Sequence, residues 1–238
     1  MQLKIFKNQN FEYLALLFIF GVLTYSFHIY EWDIILAKNF YSPGNGWIYR
    51  DNFFLEKVLH KGGVYLSMGI LLGLILCRFF LKELKAKEKA LLSFVISSTI
   101  LSIVSVYLLK LFTTFPCPWN SQQFGGGQPL FSFSELFLSS HPKGHCFPAG
   151  HSSGGYAFLS LYFGFTLIYK KRSFLTLIPG IIIGFTFGMT QEIRGAHFLS
   201  HDLATIFVTI FSCFFISLIT SWRASYYNKS YEDQNLTK

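Results

Sequence analysis

Three short stretches of the 238-residue chain hold side chains that could bind and cleave at a tetrahedral anion: Lys110, Pro148-Ala149-Gly150-His151, and Arg194-Gly195-Ala196-His197-Phe198-Leu199-Ser200-His201-Asp202. Lys110 and Arg194 offer positive charge and N–H donors, and Arg can grip an oxyanion through two parallel bonds. Gly150 lies at an expected helix start, where free backbone N–H groups and the helix dipole favour an anion. Two histidines in separate segments, His151 and His197, can divide the labour. One attacks phosphorus as a neutral imidazole, and the other, protonated, donates to the leaving oxygen. On one helix, Arg194 and His197 are i,i+3 and His197 and His201 are i,i+4, so this spacing predicts a shared face. A carboxylate beside the attacking histidine would fix its tautomer and stabilise its cation.

The elements that must position these residues are set by composition. Hydrophobic residues make up 52% of the chain and charged residues only 13%, with a mean hydropathy of +0.41. Soluble domains carry about 25% charged residues, so a water-facing globule is disfavoured. Disorder is excluded by the 19% aromatic content, because disordered chains are aromatic-poor. Apolar runs long enough to cross a hydrocarbon core of ~30 Å fall near Glu12–Tyr30, Val64–Leu81, Ala90–Thr113, Gly154–Tyr169, Phe174–Glu192 and His201–Ser221. The first follows Lys4 and Lys7 as a secretory signal would. No small-x-small cleavage site follows it, and a retained anchor is expected. The fold class predicted is all-α: a single domain over 1–238, an integral membrane bundle of six transmembrane helices with an outer-face active-site loop region. Its active-site segments fall at about 110–151 and 191–202.

Lys and Arg predict the orientation. With the N-terminus inside, thirteen of the twenty basic residues lie on inner segments: Lys4 and Lys7; Arg78, Lys82, Lys85, Lys87 and Lys89; Lys170, Lys171 and Arg172; Arg223, Lys229 and Lys238. This is the positive-inside pattern, so the net charge of +8 reads as topology and no nucleic-acid partner is expected. Lys110, His151 and the Arg194–Asp202 cluster then all fall at the outer boundary. Ionisable groups at membrane depth are functional candidates by default. Gly69/Gly73 and Gly180/Gly184/Gly188 form ridges at four-residue spacing, which let helices approach closely in lipid. Pro179 suits a first helical turn. Ser42-Pro43-Gly44-Asn45-Gly46 marks a turn, and Phe53, Phe54, Leu55, Val58 and Leu59 predict an amphipathic helix on the bilayer.

The polar stretches resemble the signatures of the type-2 phosphatidic acid phosphatase superfamily of integral membrane lipid phosphatases: Lys-x6-Arg-Pro, Pro-Ser-Gly-His and Ser-Arg-x5-His-x3-Asp. This chain reads Lys110-x6-Cys117-Pro118, Pro148-Ala149-Gly150-His151, and Arg194 through Asp202. The resemblance implies that His197 is the nucleophile forming a phosphohistidine and His151 the general acid. It implies that Lys110, Arg194 and the Gly150 region bind phosphate, and that the chemistry needs no metal or other cofactor. Four positions depart from the pattern. Cys117 replaces an Arg, Ala149 a Ser, and Gln191 the Arg six residues before His197; Arg194, three before, lies about 60° away on a helical face and can reach the same pocket. His201 stands where the orienting Asp belongs. Asp202 is the preferred orienting group if the helix distorts slightly, with His201 as the alternative neutral acceptor. Lys143 or nearby histidines are candidates to replace the missing cation.

Of the four cysteines, Cys77 and Cys213 are expected to pack as small hydrophobes. Cys117 and Cys146 both fall in the outer loop. If that side is oxidising, a disulfide there would tie two motifs together; two free thiols are the alternative. His141, His145, Cys146 and His151 show no metal-ligand spacing, so no metal site is expected. Gly125-Gly126-Gly127 reads as a flexible turn, and His28 and His60 as ordinary interface residues. The function expected is hydrolysis of a phosphomonoester or pyrophosphate bond of a membrane lipid. A bacterial inner membrane is preferred, with both termini cytoplasmic and a periplasmic site; an endoplasmic-reticulum membrane would look similar. Lipid A, polyprenyl diphosphate, phosphatidylglycerophosphate and phosphatidate are candidate substrates, with lipid A first on family analogy alone. Lipid phosphotransfer, or a non-catalytic transporter or scaffold with a degenerate site, are the rival readings. Oligomeric state is left open.

Overall fold

Long apolar runs without internal polar partners leave the helix as the way to satisfy the backbone in lipid, and helices dominate. The computed structural model of the chain describes residues 2–137 and 144–236, so Lys143 and His141 lie outside the described residues. Its helices are α1 (Gln2–Ile29), α2 (Trp32–Ala37), α3 (Gly62–Phe80), α4 (Ala86–Phe112), α5 (Gly150–Tyr156), α6 (Ser160–Tyr169), α7 (Ile178–Ile193) and α8 (Leu199–Leu236). A two-residue ribbon pairs β1 (Tyr41–Ser42) with β2 (Gly46–Trp47) across the expected turn.

Among the described residues, five helical segments are long and apolar enough to cross a membrane: Gln9–Ile29, Phe54–Phe80, Ala86–Phe112, Phe174–Ile193 and Leu199–Ser221. The expected sixth, Gly154–Tyr169, differs. It is made of α5 and α6 joined by a 3-10 turn at Ala157–Leu159, so no single helix there has the length. Glycines at 154 and 155 weaken the helix, and the segment is buried among its neighbours from Gly155 to Ser160. A break in a helix is tolerated where protein rather than lipid surrounds it.

The amphipathic segment after the ribbon also differs from expectation. Phe54–Lys61 is a π-helical run continuous with α3, not a separate surface helix. Gly62 and Gly63 keep helical geometry, and Gly63 leaves room for the Phe187 ring of α7 to pack against its backbone. This run carries His60 up to the start of α5.

The glycine ridge of α7 is used position by position. A Cβ at Gly180 would strike Leu159, one at Gly184 the Tyr156 ring, and one at Gly188 the Asp202 carboxylate. Gly155 in turn meets the Gly184 backbone, so α5 and α7 touch main chain to main chain. Without a hydrophobic driving force in lipid, such close van der Waals packing holds helices together. The ridge of α3 behaves otherwise: Gly69 and Gly73 face open space. Cys213 is fully buried beside Tyr13, Phe94 and Tyr162, as expected of a small hydrophobe, whereas Cys77 is exposed.

The connections at one end of the bundle build a cap. Ile34, Ala37, Trp47, Phe124 and Phe198 form one cluster, and Phe115, Phe131, Leu136, Phe147 and Ala204 another. Asp33 of α2 accepts a hydrogen bond from the Ser200 N–H at 3.0 Å, capping α8 and pinning the cap to the bundle. Burial pushes the Asp33 carboxyl up to about 6, against the pull of its bonds to Ser200. Gly125 adopts positive φ and Gly126 packs on the Asn120 backbone, so the triple glycine makes a fixed turn.

The packing predicts a contrast between two glycine-to-leucine variants. Gly184→Leu should lower thermal stability in detergent by about 1–3 kcal/mol or more, the cost of overpacking. Gly69→Leu should leave the melting temperature unchanged.

Candidate active site

The end of α4 carries Lys110, and the residues that follow run straight into contact with the 144–149 segment. Gly144 lies against the Phe115–Pro116 backbone, where a Cβ would not fit. The His145 ring meets the Lys110 carbonyl through Nδ1 at 2.8 Å. The Thr113 hydroxyl donates to the Phe147 carbonyl, and Cys117 is disulfide-bonded to Cys146 with Cα atoms 5.2 Å apart. On the other side, the Ala149 N–H donates to the His201 carbonyl at 3.1 Å, and the Thr205 hydroxyl donates to the Ala149 carbonyl at 2.8 Å. Ala149 is fully buried, so the position where the resemblance has Ser serves as a small packing residue here. The first two stretches are thereby fixed to the third.

Arg194 and His197 come together through a turn, not through the single helical face that i,i+3 spacing suggested. Helix α7 ends at Ile193 and α8 begins at Leu199. Gly195 takes positive φ between them, and a side chain there would strike the Trp47 indole. The Gly195 and Ala196 N–H groups return to the Glu192 and Gln191 carbonyls at 2.9 and 2.8 Å, satisfying the end of α7 with a left-handed glycine. The Arg194 guanidinium is aimed by two acceptors: Nε donates to the Arg50 carbonyl at 2.8 Å and Nη1 to Gln191 Oε1 at 3.3 Å. Gln191, where the pattern has Arg, therefore orients the Arg three residues on. Its Nε2, buried and unpartnered, is a further donor.

His197 Nδ1 lies 3.3 Å from His201 Nδ1. The Cys146 carbonyl faces both rings. This corrects the expectation that Asp202 orients His197. Asp202 turns its carboxyl to α7 against Gly188, beside Glu192 and Ser152. The reason is geometric: one residue along a helix rotates a side chain by about 100°, and no distortion of α8 brings it back.

Lys110 reaches over the start of α5, where a Cβ at Gly150 would stand 3.1 Å from its ammonium. Burial holds His197 well below the usual imidazole range, reinforced by Lys110, His201 and His151. The nucleophile candidate is thus neutral near pH 7, with its attack-competent lone pair free. Burial lowers Arg194 as well, to no practical effect, because guanidinium stays charged. His151 is packed against the ring of His60, centroids 3.9 Å apart, and burial, reinforced by His60, Lys110 and Arg194, lowers it to about 3, so it is neutral in the free protein. Lys110, Gly150, His151, Arg194, His197 and His201 are therefore brought together at one end of the bundle, Asp202 is turned away, and Lys143 lies outside the described residues. His60, Gln191 and the Cys146 carbonyl are neighbours that spacing did not reveal; a lone histidine in an amphipathic stretch carries no signal of its partner. Among the described residues no three His, Cys, Asp or Glu side chains cluster as metal ligands do.

Such an arrangement can bind an oxyanion between Lys110 and Arg194 and present an imidazole to its central atom. The disulfide is predicted to matter through the Cys146 carbonyl. Without reductant, a thiol reagent applied to unfolded protein should label two cysteines, and after reduction four. Cys117→Ser should lower phosphate-directed activity, read as a fall in turnover with the helical content kept.

Residues 91–225, more than half of the chain, match the family model of the PAP2 superfamily. Comparison with curated proteins and with solved structures gives no match. The matched region takes in Lys110, His151, Arg194 and His197 together. The chain belongs to the PAP2 superfamily of phosphatases, as an integral membrane member.

Proposed function

We propose that the protein is a lipid phosphatase that works at the outer face of its membrane through a phosphohistidine on His197. The observation that carries the lipid reading is a groove between α4 and α5 that starts at the phosphate-binding end. A cavity of about 450 Å³ is lined by Ile103, Val106, Tyr107 and Leu111 below Lys110, His145 and Gly150. A phosphate held by Lys110 would leave its apolar tail in that groove, level with the bilayer.

The residues suit a two-step transfer. Since His197 Nδ1 faces His201, Nε2 is the nitrogen free to attack phosphorus. The P–O bond to the lipid breaks as His151, which takes up a proton when the anionic phosphate offsets Lys110 and Arg194 beside it, gives that proton to the leaving oxygen. Lys110, Arg194 and Gln191 Nε2 stabilise the charge that gathers on the equatorial oxygens. Water then attacks the phosphohistidine, with His151 taking its proton. The cations fill the charge-neutralising role, so chelators should leave activity unchanged.

Positive residues on the short loops opposite this end support a cytoplasmic side there and a periplasmic or luminal site here. Lipid A is the first substrate to try within a panel that includes polyprenyl diphosphate, phosphatidylglycerophosphate and phosphatidate. Mass spectrometry of membrane lipids with and without the gene should show a phosphate-sized difference in one of them.

Three outcomes test the reading. His197→Ala should remove phosphate release from the purified protein, and retained activity would exclude the mechanism. The lowered His197 pKa keeps the nucleophile neutral on the acid side, so the acid limb of kcat/KM should have its midpoint below the ordinary imidazole value near 6.5; a midpoint above it would count against His197. Ile103→Trp should slow hydrolysis of long-chain lipid phosphates and spare a short water-soluble phosphate ester.

A further inference from the structure

His201 separates two spaces. On one side its Nδ1 meets His197. On the other it forms part of the wall of a chamber of about 250 Å³, lined on its polar side by His28, Glu31, Asp33, Gln123 and Ser132 and elsewhere by apolar side chains. The chamber has room for several waters and no lining residue in common with the groove below Lys110. Glu31 and Gln123 are exposed and stand at its outer side. The His201 ring is 1% exposed, and its Nε2 has no hydrogen-bond partner in the protein. Phe147 and Phe198 lie edge-on to it with centroids 5.4 Å away, and Phe115 at 6.5 Å. A ring placed only to fill space needs neither a nitrogen on the nucleophile nor a second, unpartnered nitrogen on a side chain that lines a chamber.

We propose that His201 is a proton relay, carrying the Nδ1 proton of His197 to this chamber during phosphoryl transfer. The proposal rests on the phosphatase reading above. A carboxylate in this place would hold the His197 proton and balance the charge that forms on phosphorylation. A neutral imidazole cannot balance it, but it can move the proton away. In the first half-reaction His197 Nε2 bonds to phosphorus, and the lipid oxygen leaves with the proton of His151. The His197 Nδ1 proton passes to His201 Nδ1, and the His201 Nε2 proton passes to water in the chamber. In the second half-reaction water bonds to phosphorus and the P–N bond breaks, with the water's proton going to His151. His201 Nδ1 returns a proton to His197 Nδ1 and regains one at Nε2 from the chamber. Each nitrogen ends as it began.

The charged and titratable groups around the relay favour this direction. Burial, Lys110 on the phosphate side and His28 on the chamber side all oppose a lasting positive charge on His201, so a proton that reaches it is passed on. On the chamber side, Glu31 and Asp33 can receive a proton, and His28 is the one titratable base among the lining residues besides His201.

The test uses purified full-length protein in detergent, with a lipid phosphate that the wild type hydrolyses. His201→Ala should lose at least about a hundredfold in kcat, the usual scale of proton-transfer catalysis. Added imidazole, entering from the chamber, should restore kcat at least tenfold, in proportion to its free-base concentration. His201→Gln keeps the ring's volume but cannot pass a proton. It should lose as much as His201→Ala and gain nothing from imidazole, which keeps the test decisive if the alanine variant fails to fold. Wild-type turnover in His201→Gln, or a folded His201→Ala that is inactive and unmoved by imidazole, would overturn the relay while leaving the phosphatase intact. No phosphate release by the wild type from any lipid would instead overturn the phosphatase reading, and the relay with it.

Discussion

Five residues, His145 to Ala149, are held from both sides, and the geometry of the site follows from that. The His145 ring bonds the Lys110 carbonyl in the last turn of α4, a disulfide joins Cys146 to Cys117, Thr113 bonds the Phe147 carbonyl, and Ala149 is bonded to α8 in both directions. Lys110 and His197 lie 87 positions apart in sequence, one at the end of α4 and the other in the turn between α7 and α8. Nothing in either element alone would bring an ammonium, an imidazole pair and a guanidinium to one place. The clamped segment does so, and it also turns the Cys146 carbonyl onto both histidine rings. A cross-link occupies the position where the family pattern has an arginine, so a charge that would have touched phosphate is exchanged for rigidity.

That rigidity sits on a bundle whose contacts are short by design of its small residues. The α7 glycines admit Leu159, Tyr156 and Asp202, and α5 presses its main chain onto α7. Asp202 is therefore a packing partner of α7, and the place beside His197 falls to His201. Burial then works on the chemistry in two ways. It keeps His197 neutral, and it excludes the water that would compete with Gln191 and Arg50 for the Arg194 guanidinium. Two spaces remain near the site: the largely apolar groove below Lys110 and the chamber behind His201.

Much of this was legible in the chain. The long apolar runs gave four of the five membrane-length helices within a few residues, because a hydrocarbon thickness demands a fixed helix length, while the helix expected from Val64 begins at Phe54. The α7 ridge read correctly as packing, and Lys110, His151, Arg194 and His197 stood out because polar groups are rare at membrane depth. What failed has physical causes. The 150–169 segment broke into two helices because glycines and tight burial outweigh hydropathy. Helical spacing from Arg194 to His201 ignored that Gly195 can end α7 and start a turn. Asp202 was preferred to His201 by analogy, but the direction of side chains on α8 sets His201 beside His197 and Asp202 against Gly188. His60 and the α3 ridge depend on tertiary neighbours, which no local pattern encodes.

The central claim is covalent: phosphate passes through His197. A rapid-quench reaction with lipid carrying a radiolabelled phosphate, followed by protease digestion at alkaline pH, measures this directly. The account predicts an acid-labile, alkali-stable label confined to the peptide containing His197. Turnover of the same lipid with no label on that peptide at any quench time, or a label on another residue, would contradict it.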